Sequence, residues 1–161
     1  MGTVNIHTCL IGHLKDIYDS EIQLIDSLSS MIEHTTSGSV KELLQKIIGQ
    51  TELCVERLDA EGEKLSLEHD WIPSQGFVGQ IQQNNAQLNL VDEPLLHDLE
   101  ALVALKTLMS LLTDKYESFI HFLTMESNPS LATVSGERVA ELQQDHPVII
   151  TRMHELSAAI A

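Results

Sequence analysis

The sequence predicts an all-α protein: an antiparallel four-helix bundle whose second and third helices are joined by a long crossover containing a short extra helix. Apolar residues recur at alternating three- and four-residue steps along four long stretches, the spacing of one buried helix face. Hydrophobic residues make up 43% of the chain but aromatics only 4%, which suits helices packed through Leu, Ile, Val and Ala better than a β-sandwich. The four prolines fall mostly where helices should begin or end. The 161 residues suffice for one domain, residues 1–161, around a single core.

The first helix is expected from about Ile6 to His34, with its stripe through Leu10, Leu14, Ile17, Leu24, Leu28 and Met31. Ser39 and Glu42 read as a capping box that starts a second helix, which runs to about Leu65 and turns Val40, Leu43, Leu44, Ile47, Cys54 and Leu58 inward. So short a loop makes the two helices antiparallel neighbours. Trp71 to Gly76 reads as a turn, and Phe77 to Leu90 as the extra helix of the crossover. Asp92-Glu93-Pro94 starts a third long helix that runs to about Glu126. One of its stripes passes through Leu95, Leu99, Leu102, Met109, Tyr116 and Leu123, and a second through Leu105, Leu108, Leu112, Phe119 and Phe122. Two apolar faces predict a central helix that also forms the interface of a homodimer. Ser127-Asn128-Pro129 stops it, and a fourth helix is expected from about Ser135 to Ala159, with a kink at Pro147. Its stripe reads Val139, Leu142, His146, Ile149, Met153, Leu156 and Ile160.

Composition excludes several functions. Lys and Arg total 9 against 24 Asp and Glu, a net charge of −15, so no phosphate-binding face is expected and neither nucleic acid nor an anionic membrane is a partner. No long uncharged apolar stretch predicts a membrane span, and the N-terminus has no signal-peptide pattern. Cys9 and Cys54 make no Cys-x-x-Cys pair, which fits a reducing cytoplasm. No P-loop, Rossmann or Gly-x-Ser-x-Gly motif occurs, so no small-molecule substrate is identifiable. His7, His13, His34, His69, His97, His121 and His154 are spread along the chain and read as surface residues, and His97-Asp98 as part of a polar helix face.

Glu21 and His146 interrupt the apolar stripes of two different helices. A buried carboxylate needs a metal, a base or several hydrogen-bond donors. Inward Glu and His residues build metal sites in helical bundles, whereas hydrogen bonding to polar neighbours is the plain alternative and is preferred on spacing alone.

The stretch Leu14-Lys15-Asp16-Ile17-Tyr18-Asp19-Ser20-Glu21-Ile22-Gln23-Leu24 resembles the L-x-D-x-Y-x-A-E-x-Q-L opening of the YciF-like family of ferritin-like proteins. Gln50-Thr51-Glu52-Leu53-Cys54-Val55-Glu56-Arg57-Leu58 is similar to that family's E-T-x-x-[QH]-x-x-R-[LI] stretch, and Gln75-Gly76-Phe77-Val78 to its E-G-L-[IL]. The resemblance implies a ferritin-like bundle, a two-metal carboxylate site and an association with stress responses. Carried over residue by residue, the site mostly fails. Glu21 is retained, but the other family carboxylates fall on Gln50, Gln75, Ser110, Thr113 and Gln144, with Cys54 beside Gln50. Neutral side chains supply no countercharge for two dications. The preferred expectation is therefore a non-enzymatic, stress-associated bundle with no cofactor, in which Gln50 and Gln75 donate to Glu21 and Glu21→Gln costs little. The alternative is one iron, manganese or zinc ion on Glu21, Cys54 and His146, with oxidase or peroxide-detoxifying activity.

Overall fold

The computed structural model describes residues 5–67 and 73–161. Trp71 and Ile72 of the expected turn, and His69, lie outside these residues. Among the described residues the elements are five helices: α1 (Ile6–His34), α2 (Gly38–Lys64), α3 (Gln75–Leu88), α4 (Pro94–Met125) and α5 (Pro129–Ile160).

Local chemistry sets their ends. Asn5 caps α1 through its side chain, which accepts from the Thr8 N–H at 2.9 Å. At its other end Thr35 turns extended, and its hydroxyl donates to the Met31 carbonyl. Ser37, not Ser39, is the N-cap of α2: its hydroxyl accepts from the Val40 N–H, and Ser39 is already helical. The expected capping box is therefore displaced by two residues. Glu93 caps α4 by accepting from the Leu96 N–H, with Pro94 at the first helical position. Asn128-Pro129 repeats that arrangement, with Asn128 accepting from the Leu131 N–H at 3.1 Å. The pair read in the sequence as a stop is thus also a start, and α5 begins six residues before the expected Ser135. α5 continues through Pro147 without interruption.

α1 packs on α2 and α4, and α5 packs on α4 and α2, so the four long helices form a ring with α1 and α5 on one diagonal. Asp98 at the start of α4 meets Thr36 at the end of α1, and Glu126 after α4 meets His7 at the start of α1. Ser130 at the start of α5 hydrogen-bonds Glu61 near the end of α2. All neighbouring helices in the ring are therefore antiparallel. The crossover climbs the bundle from the end of α2 to the start of α4, with α3 lying on α4 and α1.

The stripes expected on α1 and α2 are buried throughout. On α4, Leu105, Leu108, Leu112 and Phe119 are buried within this chain, and Phe122 packs against the same core. The two faces make α4 the central helix, and the second stripe is not free to form a dimer interface. On α5 the expected Leu142, Ile149 and Leu156 are buried, but at two positions the inward residue is the one before that expected: Arg138 for Val139 and Asp145 for His146, with Leu131 and Ser135 extending the line. His146 is only half-buried, whereas Asp145 is buried. Reading by apolarity skipped the charged members of that line.

Candidate functional site

All four long helices send a polar side chain into the middle of the bundle. Glu21 lies on the buried face of α1 and is 0% exposed. Across the diagonal, Arg138 of α5 is 1% exposed and grips it with two charge-assisted hydrogen bonds, Nε to Oε1 at 2.8 Å and Nη2 to Oε2 at 2.9 Å. Tyr116 of α4 donates its hydroxyl to Glu21 Oε1 at 2.8 Å. From α2, the Cys54 thiol lies 3.5 Å from the same oxygen and 3.2 Å from the Tyr116 hydroxyl. Thr51, one turn before Cys54, accepts from Arg138 Nη2 at 3.0 Å and donates its own hydroxyl to the Ile47 carbonyl.

The chemistry of this cluster is that of a closed ion pair in which both Glu21 oxygens are satisfied, while Arg138 Nη1 makes no hydrogen bond and faces the Glu141 carboxylate at 3.8 Å. Burial alone would push the Arg138 guanidinium down, but the Glu21 carboxylate outweighs it and holds the group above its ordinary value. Burial, and then the Glu21 charge, push the Cys54 thiol far up. The same two causes raise the Tyr116 hydroxyl. Neither side chain is set up as a thiolate or phenolate ligand or nucleophile, because each serves Glu21 as a neutral group.

A dication does not fit these residues. Glu21 already spends both carboxylate oxygens on a fixed cation, and Arg138 would repel a metal at close range. Among the described residues no group of three His, Cys, Asp or Glu side chains converges to hold a metal ion. Glu21 and Cys54 do come together, but His146 is not a partner of either. It lines a groove between α4 and α5 with Ser110, Thr113, Asp114 and Glu117.

The other positions read in the sequence as remnants of a metal site are also dispersed. Ser110 and Gln144 are exposed, and Thr113 turns its hydroxyl back to the Met109 carbonyl. Gln75 is exposed and donates to the Pro73 carbonyl at 3.4 Å. Gln50 is half-buried, with its Oε1 shielded and unpartnered. Neither Gln hydrogen-bonds Glu21, which corrects the expected network: its donors are Arg138, Tyr116 and Cys54. Arg138 was the residue to find. It stands four positions before Leu142 on α5, and a buried Glu in a chain with nine Lys and Arg invites the question of which one pairs with it.

The raised thiol gives a pH prediction. Unfolded Cys54 releases its proton near its ordinary value of 9.0, while the folded chain keeps it. Above that pH the unfolded state binds fewer protons, so stability falls as pH rises, by up to about 1.4 kcal/mol per pH unit for this group. Urea midpoints between pH 8 and pH 10.5 should decline with a shallower slope in Cys54→Ala. Equal slopes would contradict the buried, protonated thiol.

The family described as "Domain of unknown function (DUF892)" matches residues 5–120. A comparison with curated proteins returns no match. Among solved structures, the E. coli stress protein YciF is similar with a TM-score of 0.89 at 16% identity, covering 97% of this chain and 99% of that one. YcfI from Rhodopseudomonas palustris, suggested to be a structural protein, is similar with a TM-score of 0.86 at 18% identity, covering 92% of this chain and 94% of that one. Both likenesses show a shared fold. No described helix is long and apolar enough to cross a membrane.

Proposed function

We propose that this chain, which belongs to the DUF892 family, is a non-enzymatic helical-bundle protein of ferritin-like arrangement, working in a stress-associated or structural role and using no metal at its centre. The observation that carries this reading is the Arg138–Glu21 pair. A bundle of this kind builds redox chemistry by placing carboxylates around two dications. Here one carboxylate remains, and its countercharge is a guanidinium from the diagonally opposite helix. An arginine supplies the positive charge permanently and exchanges neither electrons nor ligands.

The names of the similar structures, a stress protein and a suggested structural protein, support the role without naming a partner. The alternative, a reduced site on Glu21, Cys54 and His146, requires Arg138 to leave and His146 to move in from the α4–α5 groove. Iron(II) added under air should oxidise at the rate of buffer alone, followed by absorbance. Protein-dependent turnover that disappears in Cys54→Ala would overturn the reading.

A further inference from the structure

At the end of the bundle where α1 finishes and α4 begins, two imidazoles flank a cleft. We propose that His34 and His97 form a binding site for one divalent transition-metal ion, zinc or copper, distinct from the ion pair in the bundle centre. Their ring centroids are 6.3 Å apart. An ion about 2.0–2.1 Å from one nitrogen of each ring in a tetrahedral site holds the two ring centres about 5 Å apart, so binding would draw the exposed His34 ring toward His97 by about 1 Å. His34 Nδ1 meets the Ser30 carbonyl at 3.1 Å. That contact fixes the proton on Nδ1 and frees Nε2, the arrangement by which a metal-ligating histidine is oriented. His97 Nδ1 is shielded from solvent and has no hydrogen-bond partner, which leaves Nε2 as the nitrogen an ion in the cleft would reach.

The surroundings favour a cation. Two adjoining hollows of about 320 and 230 Å³ share both histidines. Their polar lining includes Asn85, Asn89, Asp92 and Thr36 and contains no Lys or Arg. His34 lies in the last turn of α1, where the helix dipole is negative. Two imidazoles, completed by amide oxygens and water, suit zinc or copper better than magnesium or calcium. Such an ion would tie the end of α1 to the first turn of α4, beside the cap that Asp98 already provides.

Isothermal titration of the full chain with zinc chloride tests the site. One equivalent should bind at pH 7.5, and affinity should fall as pH drops toward 6, where the imidazoles take up protons. His34→Ala and His97→Ala should each weaken binding by about tenfold or more, the scale on which support of a metal ligand matters. His146→Ala should leave binding unchanged, and zinc should raise the melting temperature of the parent but not of the His34→Ala, His97→Ala double variant. Binding that survives in the double variant, or no binding to the parent, overturns the proposal. Because neither histidine is among the partners of Glu21, either result leaves the reading of the bundle centre untouched.

Discussion

Replacing Arg138 by Met should lower folding stability by about 3–5 kcal/mol, because it leaves the Glu21 carboxylate buried without its countercharge. Glu21→Gln should be costly on the same scale, for it strands the guanidinium instead. This reverses the expectation from the sequence, where Glu21 had no visible ionic partner and its neutralisation looked harmless. The ion pair also makes the two substitutions interdependent. Combining Glu21→Leu with Arg138→Met removes both charges, so the double variant should be more stable than either single one. The losses should miss additivity by about 2 kcal/mol or more, as expected for residues in direct contact. Recovery will be incomplete, since Tyr116 and Thr51 keep buried hydroxyls that have lost a partner. Urea denaturation of the four proteins measures the cycle, and additive losses would mean that the pair is not coupled.

Asp98→Ala should destabilise the chain by about 2 kcal/mol, since hydrogen bonds to a charged group are worth about 1.5–3 kcal/mol and water replaces part of what the exposed Thr36 and half-buried Ser37 lose. The Asp98 carboxylate is fully buried at the start of α4 and accepts from the backbone N–H groups of Thr36 and Ser37 and from the Thr36 hydroxyl. These groups form the link between α1 and α2, so one side chain closes that turn and pins α4 to it. Asp98→Asn should lose less, because the amide oxygen still accepts. Amide hydrogen exchange should quicken first at Thr36 and Ser37 and then through the first turn of α2. Exchange that stays unchanged there would remove Asp98 from this role.

Periodicity made the helices legible because packing demands it: the α1 and α2 stripes expected from the sequence are the buried ones. Ends were less legible. Asn128-Pro129 is compatible with both a stop and a start, and the structure uses it as both. The centre was half legible. Glu21 announced itself as a carboxylate in an apolar stripe, and Cys54 as its neighbour on α2. Arg138 did not, because charge was taken as a mark of the surface and the α5 stripe was drawn through the apolar residues beside it. The same bias placed Asp98 on a polar face and left Asp145 out of the α5 stripe, whereas both are buried against partners on other elements: Thr36 and Ser37 for Asp98, Lys46 for Asp145 at 3.0 Å. Charged core residues become visible only when the helical register is followed regardless of polarity.

The central claim is that Arg138, not a metal, balances Glu21. Anaerobic equilibration with iron(II) or manganese(II), removal of loosely held ions and elemental analysis per chain tests it most directly, using the folded Glu21→Leu, Arg138→Met double variant as the reference. The account predicts the same substoichiometric metal content in the parent and in the double variant. One or two equivalents in the parent that are absent from the double variant would contradict it.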